Sequence, residues 1–320
     1  MAKLKSHLLF GYLVPTSKKL LSNRVTREFL AEMTGTFILV ASGLSAHVVY
    51  KARKQQMDTF AAAFCFGVGA LIAISATLDV SGAHLNPAVS TAMASIGRLP
   101  WKRVPHYMAA QYIGAFFSAF VTWLINQDAI LTFDPDYTEH GSAVYVTFPG
   151  EGVGLFSAFL DQVLSTGILS FSILAADGPK LPRSFHPLYF TLVITGIVIS
   201  FNYNAGAILN PARDLGPRLF TWIFGYGSDV FMDLSGCHWW LVAIIAPHLG
   251  ALLGVWYYIL LIDPSVAYEK ESDSNTKIGD SFVPTNFQIG APKNQENHEV
   301  AKLDHDHKEH PNDAKHKSDD

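Results

Sequence analysis

Two nine-residue stretches decide the fold: Ser81-Gly82-Ala83-His84-Leu85-Asn86-Pro87-Ala88-Val89 and Gly206-Ala207-Ile208-Leu209-Asn210-Pro211-Ala212-Arg213-Asp214. Each contains Asn-Pro-Ala. Asparagine is a preferred helix cap, and proline is tolerated at the first helical position because its missing N–H would be unpaired there anyway. Each motif follows a long apolar segment and opens a run of about ten helix-compatible residues, roughly 15 Å of helix at 1.5 Å per residue. That is about half the apolar thickness of a bilayer. The pattern predicts two half-spans whose N-termini meet at the membrane midplane.

The composition around these motifs is that of a membrane protein. The 320-residue chain is 49% hydrophobic and 16% charged, where a soluble domain carries about 25% charged residues. Much of the charge lies in the last sixty or so residues, so the net charge of -4 describes the tail more than the body. Nothing in it points to a nucleic acid. Cys65 and Cys237 give neither a disulfide framework nor a metal spacing. Cys65 reads as packing and Cys237 as a free thiol near a membrane boundary. The run Leu8 to Val14 is too short for a span and lacks a clear cleavage site, so it is not read as a signal peptide.

Six apolar segments approach the ~20 residues a spanning helix needs: Val25–Tyr50, Thr59–Leu78, Val104–Ile125, Gly154–Ala176, Leu188–Tyr203 and Trp239–Ile262. The first half-helix ends near Gly97 and the second near Phe224. The two halves repeat. Phe29-Leu30-Ala31-Glu32 with Thr36 matches Phe159-Leu160-Asp161-Gln162 with Thr166, and Ala110-Gln111-Tyr112-Ile113-Gly114-Ala115 matches Ala246-Pro247-His248-Leu249-Gly250-Ala251, at offsets of about 130 residues. With three spans per half, the second copy enters the membrane from the opposite side, an inverted repeat with its site at the midplane between broken helices. The expected fold is an all-α membrane protein of six transmembrane helices plus two half-helices.

The domain reading is a cytoplasmic N-terminal segment over 1–24, a channel body over 25–262 (repeats at about 25–135 and 151–262) and a disordered cytoplasmic tail over 263–320. Arg98, Lys102, Arg103, Lys180 and Arg183, with the basic N-terminus, put both ends in the cytoplasm; Lys51, Arg53 and Lys54 run against that rule. Asn126–Gly152 reads as a polar external loop joining the halves. The tail histidines (His298, His305, His307, His310, His316) read as part of a solvated polar tail, with metal binding the alternative.

The paired Asn-Pro-Ala boxes, Ser81-Gly82-Ala83-His84, the run Asn210 to Arg218 and the inverted repeat together resemble the aquaporin family over about residues 25 to 262. Asp214 directly after Arg213 resembles the glycerol-facilitator branch, the aquaglyceroporins. The residues themselves point the same way. As caps, Asn86 and Asn210 accept hydrogen bonds from their own half-helices, which leaves their amide NH₂ groups free to point into a passage. The two helix N-termini add positive potential there, repelling cations and disfavouring proton passage. Pro87, Ala88, Pro211 and Ala212 open the half-helices. Arg213 is an arginine at membrane depth, a functional feature by default. The resemblance implies a narrow filter in which Arg213 donates to solute hydroxyls, with Phe66, Val198 and Ala207 as its other walls; they stand twenty before Asn86 and twelve and three before Asn210. Water-selective members of the family typically carry a histidine in span five, and none occurs between Leu188 and Asn210; the resemblance thus implies a filter of Phe66, Val198, Ala207 and Arg213 that is wide and apolar on most sides, as suits a polyol. Many glycerol channels have a second aromatic near the Ala207 position, and its absence here suggests a broader solute range.

Asp214 is expected to hold the loop around Arg213. Glu32 and Gln162 are expected, from the family, to accept from the backbone of the half-helix loops. His84 is expected to line or brace the vestibule, where a histidine also has the chemistry of a pH sensor. Gly114, Ser118, Gly250 and Gly254 favour close helix contact. Beyond Glu32 and Arg213 the spans offer almost no acid or base.

The resulting expectation is a passive channel, not an enzyme, for glycerol, other small polyols, urea and water. It needs no cofactor and no metal. It sits in a lipid bilayer, the plasma membrane by expectation, and the resemblance implies a homotetramer. The alternative is an inverted-repeat secondary transporter. An ion channel is disfavoured by Arg213 and the two helix N-termini, and a structural junction protein with a closed pore stays open on sequence grounds.

Overall fold

The computed structural model describes residues 17–54, 59–178, 181–232 and 236–263. Most of the N-terminal segment, Lys180 and the polar tail with its histidines lie outside the described residues. The described residues are helical and irregular, with six helices long and apolar enough to cross a membrane: Arg24–Ala52, Thr59–Ser81, Trp101–Ile125, Leu155–Ala176, Arg183–Ala205 and Trp239–Leu261. These are spans one to six. Two shorter helices, Pro87–Ser95 and Pro211–Thr221, lie between spans two and three and between spans five and six. Their 9 and 11 residues make rods of about 14 and 17 Å.

The spans turn large apolar side chains outward, among them Phe156 (74% exposed), Leu192 (63%) and Leu260 (67%). In water such a surface would be a liability; facing lipid tails it costs nothing. Lipid gives helices little hydrophobic reason to associate, so their contacts rest on small residues that let backbones close up. Gly114 lies directly over the Met33 carbonyl, and Gly250 and Gly254 over the carbonyls of Val163 and Gly167. Spans one and three, and spans four and six, meet through these matched glycines. Each half-helix crosses over to the other repeat: the first packs on span six and the second on span three. Gly250→Leu should therefore push spans four and six apart. Overpacking of this kind costs about 1–3 kcal/mol, which thermal unfolding in detergent would read as a lowered midpoint.

Two expectations need correction. The α-helical part of the fifth span covers His186–Ala205, after a 3-10 turn at Arg183–Phe185, and so extends two residues beyond each expected end, with a non-helical Phe201 inside it. The segment Asn126–Gly152 is not a simple polar loop. It contains helices Gln127–Phe133 and Glu139–Ser142, and Val144, Tyr145, Val146 and Thr147 are buried against the second half-helix. Asp128, Thr132 and Asp136 are exposed, but Asp134, Ser142 and Thr147 are buried, and Val144, Tyr145 and Val146 are drawn into the core with Phe220 and Tyr226. The second half-helix also continues past Thr221 into a wider π-helical turn over Trp222–Tyr226.

Candidate functional site

The two motif stretches adopt the same backbone conformation. Gly82, Ala83 and Leu85 have φ of 87°, 51° and 53°, and Gly206, Ala207 and Leu209 have 69°, 45° and 55°. Left-handed alanine and leucine residues are uncommon and cost free energy. Here the surrounding groups hold them. Glu32 accepts from the backbone N–H groups of His84 (3.0 Å) and Leu85 (2.6 Å) and from Ser81 Oγ (2.5 Å). Gln111 Nε2 donates to Glu32 at 2.8 Å. In the second half Gln162 Oε1 accepts from Leu209 N at 3.2 Å, and its Nε2 donates to Asp161 at 2.7 Å. Glu32 thus braces two peptide groups directly. Gln162 braces one and passes its own donor to a neighbouring carboxylate, which also accepts from Asn204 at 2.9 Å.

Asn86 and Asn210 cap their half-helices. Asn86 Oδ1 accepts from Ala88 N at 2.9 Å; Asn210 Oδ1 accepts from Ala212 N at 2.9 Å and Arg213 N at 3.3 Å. The expectation that both amide groups are wholly free is corrected. Asn86 Nδ2 donates to Leu209 O at 2.9 Å, and Asn210 Nδ2 donates to Leu85 O at 2.7 Å. The two caps are stitched to each other's loops. Each amide carries two hydrogens, so one on each side remains for a passing oxygen. The stitch also fixes the half-helices head to head.

Arg213 is 5% exposed. Its Nη1 donates to Tyr145 O at 3.0 Å, and its guanidinium carbon lies 5.2 Å from the Phe66 ring centre. Of the four expected filter residues, Phe66 and Arg213 come into direct contact. Ala207 is buried on the left-handed turn just before the second cap. Val198 takes its packing partners from another group, the cluster of Leu169, Ile197 and Leu209. His84 is half-buried, with Nδ1 3.2 Å from Ser90 Oγ and its ring 5.2 Å from that of Tyr107.

Asp214 is fully buried. It accepts from Thr147 N (3.0 Å), Thr147 Oγ1 (2.6 Å), Arg218 Nε (2.7 Å) and Arg218 Nη2 (2.9 Å). Arg218 also donates to the carbonyls of Thr147 (2.8 Å) and Val230. Sequence reasoning assigned Arg218 no role, although its i,i+4 spacing from Asp214 was the available signal. It likewise passed over Thr147, Asp161 and the buried Glu28, which pairs with Arg24 at 2.8 Å and Arg103 at 3.3 Å. The spans and half-helices therefore hold more buried charge than expected, but it is paired or hydrogen-bonded. Among the described residues no cluster of three or more His, Cys, Asp or Glu could hold a metal ion.

The family model described as Major intrinsic protein matches residues 19–258. Aquaporin-3 of Milnesium tardigradum is 37% identical over 293 residues, covering 83% of this chain and 90% of that protein. Aquaporin-10 of Homo sapiens is 36% identical over 247 residues, covering 74% and 81%. Among solved structures, the X-ray structure of the aquaglyceroporin from Plasmodium falciparum is similar with a TM-score of 0.67 and 29% identity, covering 76% of this chain and 98% of that one.

Proposed function

The chain belongs to the major intrinsic protein family and is a transmembrane channel for glycerol, other small solutes and water; we propose that it also passes urea and keeps ions and protons out. It carries out no covalent reaction. The observation that supports this most is the Phe66–Arg213 pair. A polyol has hydroxyls on one edge and C–H groups on the other. Arg213 offers several N–H donors from one rigid fork, while the Phe66 ring gives the C–H edge an apolar surface. Solute hydroxyls then meet one free amide hydrogen from each of Asn86 and Asn210.

Ion exclusion follows from charge. A cation at this constriction meets Arg213 and the N-termini of two half-helices. A coupled transporter would need an acid or base free to exchange protons or bind ions at the solute site. Glu32, Asp161 and Asp214 are each occupied by at least two donors, which favours the passive channel. In this reading residues 25–262 form the channel body, and residues 1–24 and 263–320 are cytoplasmic. The expected assembly is a homotetramer in the plasma membrane.

Stopped-flow light scattering of proteoliposomes tests the proposal. Glycerol, urea and water should equilibrate at least tenfold faster than across empty vesicles, with no ionic current in planar bilayers. Glycerol flux at the empty-vesicle rate ends the channel assignment. Glycerol flux with slow urea, or a measurable current, removes only the corresponding part of the proposal.

A further inference from the structure

Span one carries a single histidine, His47, in an otherwise apolar stretch one helical turn after Gly43. Neither residue belongs to the motifs. The Phe66 ring sits in the gap that Gly43 leaves, where even a methyl group would overlap its Cε1 and Cζ atoms. The imidazole of His47 meets that same ring edge-on, with centroids 5.6 Å apart and planes at 67°. Such edge-to-face pairs are attractive and directional. The ring that forms one wall of the filter is thus seated on Gly43 and held by His47.

His47 also reaches the other wall. Its Nδ1 lies 3.3 Å from the Val144 carbonyl oxygen, and the tautomer with hydrogen on Nδ1 donates to it. The next carbonyl along, that of Tyr145, accepts from Arg213 at 3.0 Å. One imidazole therefore touches both the aromatic wall and the peptide segment that holds the cationic wall. At 3.3 Å the hydrogen bond is long, so the ring contact is the larger part of the hold.

We propose that His47 is a positioning residue of the filter that fixes the gap between Phe66 and Arg213 and so sets the largest solute that passes. This rests on the filter reading of Phe66 and Arg213 given above. Truncating His47 leaves an imidazole-sized space beside Phe66. The ring can then tilt into that space, its distance to Arg213 is no longer fixed, and larger solutes pass.

The test measures swelling of proteoliposomes in glycerol, erythritol and xylitol. His47→Ala should raise the erythritol-to-glycerol and xylitol-to-glycerol rate ratios about fivefold or more. His47→Leu, which keeps bulk against Phe66 but loses the donor, should stay within twofold of wild type. His47→Val, a milder truncation on a helix that already carries Val48 and Val49, should move the ratios in the same direction as alanine and replaces it where the alanine chain fails to assemble. A ratio is insensitive to the amount of folded channel, so a merely structural role would lower all three rates together and leave it unchanged. A conducting wild type whose ratios do not respond to either truncation overturns the role of His47 alone. A wild type that moves glycerol no faster than empty vesicles overturns the channel assignment and this role with it.

Discussion

Arg218→Met should cost about 3–5 kcal/mol of stability, because it strands a buried carboxylate, and should abolish glycerol flux. Arg218 and Asp214 are both fully buried, joined by bonds of 2.7 and 2.9 Å. Methionine matches the length of the side chain but replaces none of its donors. Asp214 would keep Thr147 but lose its counter-charge, and the carbonyls of Thr147 and Val230 would lose their donor. For a channel body of about 240 residues the loss corresponds to a midpoint lowered by roughly 6–20 °C, read by thermal unfolding in detergent. Arg218→Lys should rescue little, since an ammonium cannot form the two-pronged bond to the carboxylate and reach both carbonyls as well. Adding Asp214→Asn to Arg218→Met should recover part of the loss by removing the stranded charge. A midpoint unchanged in the single variant would show that the pair is not what holds the second half-helix to the Val144–Thr147 segment.

Arg213→Val should have the opposite profile: a folded channel that has lost its discrimination. The groups that Arg213 contacts, the Tyr145 carbonyl and the Phe66 ring, are uncharged, so its removal strands no partner charge. A unit charge about 5 Å from a permeating cation, at an effective dielectric constant near 20, contributes about 3 kcal/mol of repulsion. Its loss should raise cation and proton leak by roughly two decades. The half-helix N-termini remain and supply a weaker barrier, typically about 0.3–1 kcal/mol each. Glycerol flux should persist while its advantage over water falls, because the hydroxyl donors have gone. Conductance in planar bilayers and pH-gradient decay in vesicles measure the leak. A variant as tight as wild type would move the exclusion barrier from Arg213 to the midplane asparagines.

These two residues stand five apart in one short helix, yet only Arg213 could be assigned a role from the sequence. It follows the second Asn-Pro-Ala box, at membrane depth, where an uncompensated arginine demands an explanation. Arg218 depends on carbonyls at Thr147 and Val230, and a carbonyl has no signature because every residue carries one. The same limit hid the stitch between the caps. Each asparagine was legible as a cap, since capping bonds reach only two or three residues along the chain. The partners of their amides, Leu209 O for Asn86 and Leu85 O for Asn210, lie 123 and 125 residues away.

By itself the sequence determined the six spans, the two half-helices and their inverted pairing. Lipid imposes those through length, apolar content and local caps, all of which are properties of contiguous residues. It also marked Glu32 and Arg213, because charge at membrane depth is expensive wherever it occurs. Only the tertiary structure decided that Val144–Thr147 folds inward to hold Arg213 and Asp214, that Phe66 meets Arg213 while Val198 packs elsewhere, and that His47 stands behind Phe66. Those arrangements come from which helices lie side by side, and the close approach that glycines such as Gly43 and Gly250 permit is read only once both partners are in place.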